Sequence, residues 1–140
     1  MPLSDNELIE KFNAHRPPAI CTLGGHVLGI DKAAKSVTVR YEAKPEFCHS
    51  EIIVQGGFLT GMVDSAMAFA VLSVCGLRTR MPTLDINVSF ISPGHPGFLL
   101  ASARIVHLGK STGFLAAELH QDERLVVTAT STARIYYPKP

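Results

Sequence analysis

From Gly57 to Cys75 the chain reads GFLTGMVDSAMAFAVLSVC. Phe58, Met62, Val63, Ala66, Met67, Ala70, Val71 and Val74 recur at steps of three and four, the period of an α-helix. Leu59, Phe69 and Leu72 carry the apolar surface around most of the circumference. A helix of that kind has little surface suited to water and must be enclosed. Gly56-Gly57 suit a tight entry, and Gly76 suits a C′ residue in the left-handed region.

Downstream of Arg78-Thr79-Arg80 the period changes to two. Leu84, Ile86, Val88 and Phe90 alternate with Asp85, Asn87 and Ser89, as a half-buried strand requires, and Ser92–Gly97 breaks the run as a turn. Phe98–His107, Thr112–Leu119 and Leu125–Tyr136 read as three further strands. Upstream, Ser4-Asp5-Asn6-Glu7 is a capping box that opens a short helix with Leu8, Ile9 and Phe12 on one stripe, stopped by Pro17-Pro18. Ile20–Ile30 and Ser36–Glu42 read as two strands, and Ala43–Glu51, with Pro45, Cys48 and His49, as an irregular connection. The order is helix, two strands, one enclosed helix, four strands. The expected architecture is α+β, a curled antiparallel sheet wrapped around one long helix, with residues 1–140 forming one unit.

Composition narrows the functions. The length of 140 residues is about one domain on a rough prior of ~150. Hydrophobic residues are 46% and charged residues 18%, enough for a core and against disorder. A net charge of +1 gives no basic excess for nucleic acid. The uncharged runs Ile52–Val63 and Ser65–Leu77 are shorter than the ~18 residues a membrane span needs. Asp5, Glu7 and Glu10 leave no secretory signal at the start, so the expected compartment is the cytoplasm. Cys21, Cys48 and Cys75, odd in number and outside any CxxC pair, read as buried free thiols.

One residue conflicts with this apolar pattern. Asp64 sits in the middle of the helix, where an ionised carboxylate is costly unless paired, hydrogen-bonded or at work. Burial favours the protonated acid and moves such a group toward general-base use; the other reading is a carboxylate bonded to a neighbouring strand or to Ser65. Gln55-Gly56-Gly57 at the helix start offers free backbone N–H groups, backed by the helix dipole, for a developing oxyanion. Gly57 and Asp64 are seven residues apart, about 10 Å along a helix, too far for one carbonyl to meet both. Two such helices antiparallel across a twofold axis bring Gly57 of one subunit near Asp64 of the other, so an obligate dimer is expected. Arg78 and Arg80 read as a solvated loop, with phosphate contact the other reading.

Val54-Gln55-Gly56-Gly57-Phe58, Met62–Met67, Thr83–Phe90 with Pro93 and Gly97, and His107-Leu108-Gly109-Lys110 together resemble the PaaI-like branch of the hotdog-fold acyl-CoA thioesterases. The resemblance implies a hotdog fold that dimerises edge to edge and often forms tetramers. It also implies hydrolysis of acyl-CoA thioesters at the subunit interface without a metal or other cofactor. It assigns Asp64 as general base or nucleophile, Gly57 as the backbone donor to the thioester oxygen, Gln55 as its assistant, and Thr83 as positioning the water or Asp64. His49 stands where many relatives have Asn beside the attacking water. Gly56, Phe58, Ser65, Lys110 and Ser111 fall in the substrate-binding set, with Lys110 and Ser111 near the coenzyme A entrance. Gln55 replaces the His of many members, and Ser92 replaces a frequent Arg. Two other functions fit a hotdog unit: a hydratase or dehydratase, which the absence of His at position 55 disfavours, and a non-catalytic acyl-CoA-binding regulator, for which 140 residues leave no DNA-binding segment.

Overall fold

In the computed structural model, which describes residues 2–139, the chain opens with α1 (Asp5–Ala14). The Ser4 hydroxyl accepts from the Glu7 N–H, and the Glu7 carboxylate accepts from the Ser4 N–H, each at 3.1 Å. This reciprocal cap satisfies donors that the first turn cannot pair internally. Ile20–Ile30 is not one strand. Pro18, whose fixed φ fits the first helical turn, opens a short helix α2 (Pro18–Thr22); Gly24 at φ 65° then turns the chain, and β1 begins only at His26 (His26–Asp31).

β2 (Ser36–Ala43) buries Val37, Val39, Tyr41 and Ala43 and turns the intervening residues outward. The connection after it contains a 3₁₀ turn, Pro45–Phe47, and a small hairpin of β3 (Cys48–Ser50) and β4 (Ile53–Val54). The long helix is α3 (Gly56–Cys75). Its C-cap Gly76 has positive φ, at φ 111° and ψ 152°, but lies outside the left-handed helical region expected for it, in a conformation open essentially to glycine alone. β5 (Thr83–Phe90), β6 (Gly97–Leu108), β7 (Thr112–Gln121) and β8 (Arg124–Arg134) complete the chain.

Six strands form one antiparallel sheet in the order β1-β2-β6-β7-β8-β5. After α3 the chain crosses to the far edge, so β1 and β5 are the two edges. Inward residues Val39, Tyr41, Leu99, Ala101, Leu115 and Leu119 pack with Met62, Val63, Ala66, Met67, Ala70 and Val71 of α3 in one core. The 20 residues of α3 meet the length and composition of a membrane span, and the core explains that apolarity.

The enclosure is incomplete in two places. Along α3, Gly57 is exposed and Gly61, Asp64 and Ala68 are only half-buried, an open stripe of mostly small residues. On β5, Leu84 is 63% and Phe90 54% exposed, with no strand on the outer side. The cysteines also differ from expectation: Cys21 is exposed on α2, and Cys48 and Cys75 are half-buried. Burial of Cys75 pushes its thiol pKa up, and Lys35 opposes this.

A polar clamp holds the 92–98 loop against the sheet. Gln121 is buried, at an inward position of β7 that continues the series Leu115, Ala117, Leu119. Its Oε1 accepts from the His95 N–H at 2.9 Å, and its Nε2 donates to the His95 carbonyl at 2.8 Å and the Phe98 carbonyl at 3.3 Å. The Arg124 guanidinium donates to Ser92 Oγ at 2.7 Å and to the Pro93 carbonyl at 2.6 Å. His95 Nδ1 lies 2.8 Å from the Ile52 carbonyl, linking the loop to the β3–β4 hairpin.

Two outcomes follow from this packing. Met67, 1% exposed, leaves a cavity when cut to Ala, so Met67→Ala lowers unfolding free energy by about 2–5 kcal/mol in a urea titration. Gln121→Leu keeps the volume but strands the His95 amide; stability falls by about 1–3 kcal/mol and hydrogen exchange at that amide accelerates. Unchanged protection of His95 refutes the clamp.

Candidate active site

The start of α3 is bare. The Gln55 N–H donates to the Phe47 carbonyl at 2.8 Å, and the Phe58 N–H to the Gln55 carbonyl at 3.0 Å, which fixes the entry angle. No side chain caps the helix, so its first N–H groups keep the positive end of the dipole unneutralised. The two glycines differ in surroundings. A Cβ on Gly56 would lie 2.8 Å from Phe90 Cζ, whereas a Cβ on Gly57 meets nothing within 4 Å. Gly56 therefore gives room to the Phe90 ring, and Gly57 leaves exposed backbone that a ligand can approach. The Gln55 side chain is exposed beside them.

Two turns along, Asp64 is half-buried at the edge of the sheet, and Thr83 Oγ1, at the start of β5, donates to its Oδ1 at 2.8 Å. One carboxylate oxygen is thereby oriented and the other has no protein donor among the described hydrogen bonds. Ser65 takes a different direction. Its hydroxyl donates to the Met62 carbonyl at 3.0 Å and lies 2.6 Å from the Tyr41 hydroxyl. With the single Ser65 proton committed to Met62, Tyr41 is the donor in that pair. Burial raises the Tyr41 phenol far above its ordinary pKa; the Ser65 hydrogen bond opposes this and the Asp64 charge adds to it. Tyr41 thus stays a neutral donor that fixes α3 to β2 one residue from Asp64.

The remaining expected residues fall in separate places. His49, exposed on β3, lines a cleft of about 470 Å³ with Ile53, Val54, Gly56, Leu59, Phe90, Ile91 and the 92–94 segment. Phe58 stacks on Phe47, with ring centroids 4.2 Å apart and planes 4° from parallel, behind that wall. Lys110 and Ser111 are exposed in the β6–β7 turn, at the other end of β6 from the loop that borders the cleft. Within one chain, Gln55, Gly56, Phe90 and His49 gather at one end of the sheet, and Asp64 with Thr83 stands apart from them.

Several residues here were not singled out from sequence. Tyr41 was visible only as one inward residue of an alternating strand. Gln121 carried a readable signal, a polar residue at an inward β7 position. Arg124, also not singled out, reaches from β8 to Ser92, where many relatives carry Arg, and donates to its Oγ.

The fold has close parallels. The family model of the thioesterase superfamily matches residues 53–128, more than half of the chain. The phenylacetic acid degradation-related protein of Ralstonia eutropha JMP134 is 32% identical, with a TM-score of 0.83 over 91% of this chain and 98% of that one. A mutant of the phenylacetic acid degradation protein PaaI from Thermus thermophilus is 25% identical, with a TM-score of 0.74 over 84% and 98%. The PaaI protein of E. coli, from the phenylacetic acid degradation operon, shares the fold at 22% identity, with a TM-score of 0.80 over 95% and 96%. A search of curated protein sequences returns no match. Its helix-wrapping sheet, its matched segment and these relatives show that the chain belongs to the thioesterase superfamily, in the PaaI-like hotdog group.

Proposed function

We propose that the protein hydrolyses acyl-CoA thioesters at two equivalent sites of a dimer, each formed by Gln55 and Gly57 of one subunit with Asp64 and Thr83 of the other. The observation that carries this reading is the separation of two half-sites on one chain: a bare, dipole-backed N–H at Gly57 and a Thr83-oriented carboxylate seven residues on. The apolar edge of β5 supplies the join. If two β5 strands pair antiparallel about a twofold axis near Ile86-Asn87, Phe90 of one lies opposite Thr83 of the other. Gly56, under Phe90, then approaches the partner's Asp64. The open stripe on α3 and the exposed side chains of β5 are covered by the same association.

In that site the Gly57 N–H, assisted by the Gln55 amide, polarises the thioester carbonyl. Asp64 takes a proton from water as the water attacks, or itself attacks to give an anhydride that water opens; in either route the C–S bond breaks and coenzyme A leaves as a thiol after protonation. His49 stands on the cleft wall where it can orient water, and the apolar cleft by Phe90 and Leu59 receives the acyl group. Thr83 keeps one Asp64 oxygen in hydrogen-bonding geometry.

Asp64→Ala and Asp64→Asn lower turnover of an acyl-CoA panel by about 10²–10⁴-fold with circular dichroism and melting temperature preserved; full activity in either variant rules out the base. Gly57→Pro removes the N–H at a first-turn position where proline is tolerated and is also inactive. Mixed dimers of Asp64→Ala with Gly57→Pro regain one intact site, because only one of their two sites collects both substitutions. Failure of mixed dimers to recover turnover, or a monomer in sedimentation, refutes the shared site.

A further inference from the structure

We infer that the cleft between α1 and the C-terminal part of α3 is a binding site for an amphipathic carboxylic acid, with Lys11 and His15 taking the carboxylate and the space beside Phe69 and Leu72 taking the apolar tail. The cleft has a volume of about 310 Å³, and none of Gln55, Gly57, Asp64 or Thr83 borders it. Its walls come from Phe12 on α1, Phe69 and Leu72 on α3, and Leu77 just past the helix end; apart from Lys11 and His15 the lining is apolar. Phe12 and Phe69, both buried, meet edge to face with ring centroids 5.0 Å apart and form the floor. Leu77, 40% exposed, and the half-buried Leu72 leave apolar surface in water that a ligand tail would cover.

The cleft keeps its shape because α1 is fastened to the sheet on its other side. The Asn13 side chain donates from Nδ2 to the Val27 carbonyl and accepts at Oδ1 from the Val27 N–H, each at 2.9 Å; the Arg16 guanidinium donates to the Gly25 carbonyl at 3.2 Å. Asn13 thus binds β1, the sheet edge opposite β5, while Lys11, Phe12 and His15 border the cleft. Lys11 and His15 lie one turn apart, joined by the bond from the His15 N–H to the Lys11 carbonyl at 3.2 Å, so one carboxylate is within reach of both. Among the described residues the one ion pair is Lys32 with Asp5, so neither has a carboxylate partner. Glu7, one turn before Lys11, has its carboxylate engaged by the Ser4 N–H at 3.1 Å. A basic rim over an apolar floor repels an alkylammonium and gives a neutral alcohol no charge-assisted bond; a carboxylate on an apolar tail satisfies both parts. The volume lies at the lower end for small-ligand sites, which limits the tail to a short or medium chain. An acid of this class is also what the proposed hydrolysis releases, but the site stands on its own contacts and is tested without turnover.

The test titrates the full chain calorimetrically with octanoate, 1-octanol and octylamine, and locates the ligand by NMR. Octanoate is expected to bind saturably, to shift the Leu72 and Leu77 methyl resonances, and to bind about tenfold or more tightly than the alcohol or the amine. The exposed double substitution Lys11→Gln/His15→Gln weakens octanoate by about tenfold or more and leaves 1-octanol unchanged; Leu77→Trp, which fills the cleft, weakens both. No octanoate binding, equal affinity for octanoate and 1-octanol, or an unchanged octanoate affinity in the double variant overturns the carboxylate site. Shifts confined to the Gly57 and Asp64 amides overturn it in favour of the candidate active site. A sedimentation mass that falls with Leu77→Trp overturns it in favour of a contact between copies of the chain.

Discussion

The structure depends on the cost of hydrating α3. Its side chains are apolar around most of the circumference, and a sheet that curls through β2, β6, β7 and β8 is what removes them from water. A curled sheet still has edges, and this one stops short of Gly57, Gly61, Asp64 and Ala68. The uncovered stripe is where the helix carries its least apolar surface, so one chain can fold with it open. It is also where the carboxylate sits. The packing constraint and the placement of the candidate base are therefore one feature: Asp64 is tolerated on α3 because it lies on the line that the chain's own sheet does not cover, within reach of the Thr83 hydroxyl.

The same edge separates the two halves of the chemistry. A helix N-terminus that provides N–H groups lies at one end of α3, and a carboxylate projecting from the side of that helix lies a fixed rise away. No local rearrangement closes that gap while α3 remains continuous, and the hydrogen bonds at Gln55 and Phe58 hold its first turn in place. In the proposed dimer, twofold symmetry closes the gap without distortion, because an antiparallel neighbour places a beginning beside a middle. The exposed apolar residues of β5 are the surface that such a neighbour would cover.

Elements whose pattern is periodic were legible in the sequence. The α3 stripe and the Ser4–Glu7 box appear where their spacing places them, since each is a local statement about which side meets the core. β5 forms over the expected residues, but of its alternating apolar set only Ile86 and Val88 are half-buried, and Leu84 and Phe90 stay exposed because β5 is a sheet edge. The errors came where local signals compete. Ile20–Ile30 is apolar enough for a strand, yet Pro18 and Gly24 impose a helical turn and a reversal before β1 can start. The 43–51 connection hid a 3₁₀ turn and the first strand of a hairpin, each too short to show a period. At the candidate site, Asp64 and the glycines were legible because each is anomalous in its own neighbourhood. The Tyr41–Ser65 bond and the Arg124–Ser92 contact join residues 24 and 32 positions apart, and no local pattern encodes such pairs.

The arrangement of polar groups separates support from chemistry. Gln121 and Tyr41 are buried, and each spends its donors and acceptors on a single structural purpose: one holds the 92–98 loop, the other holds α3. Groups committed in this way are poor candidates for substrate contact, since freeing them leaves a desolvated partner behind. By contrast Gly57 and the second oxygen of Asp64 are open or half-open and, among the described residues, have no capping or hydrogen-bonding partner.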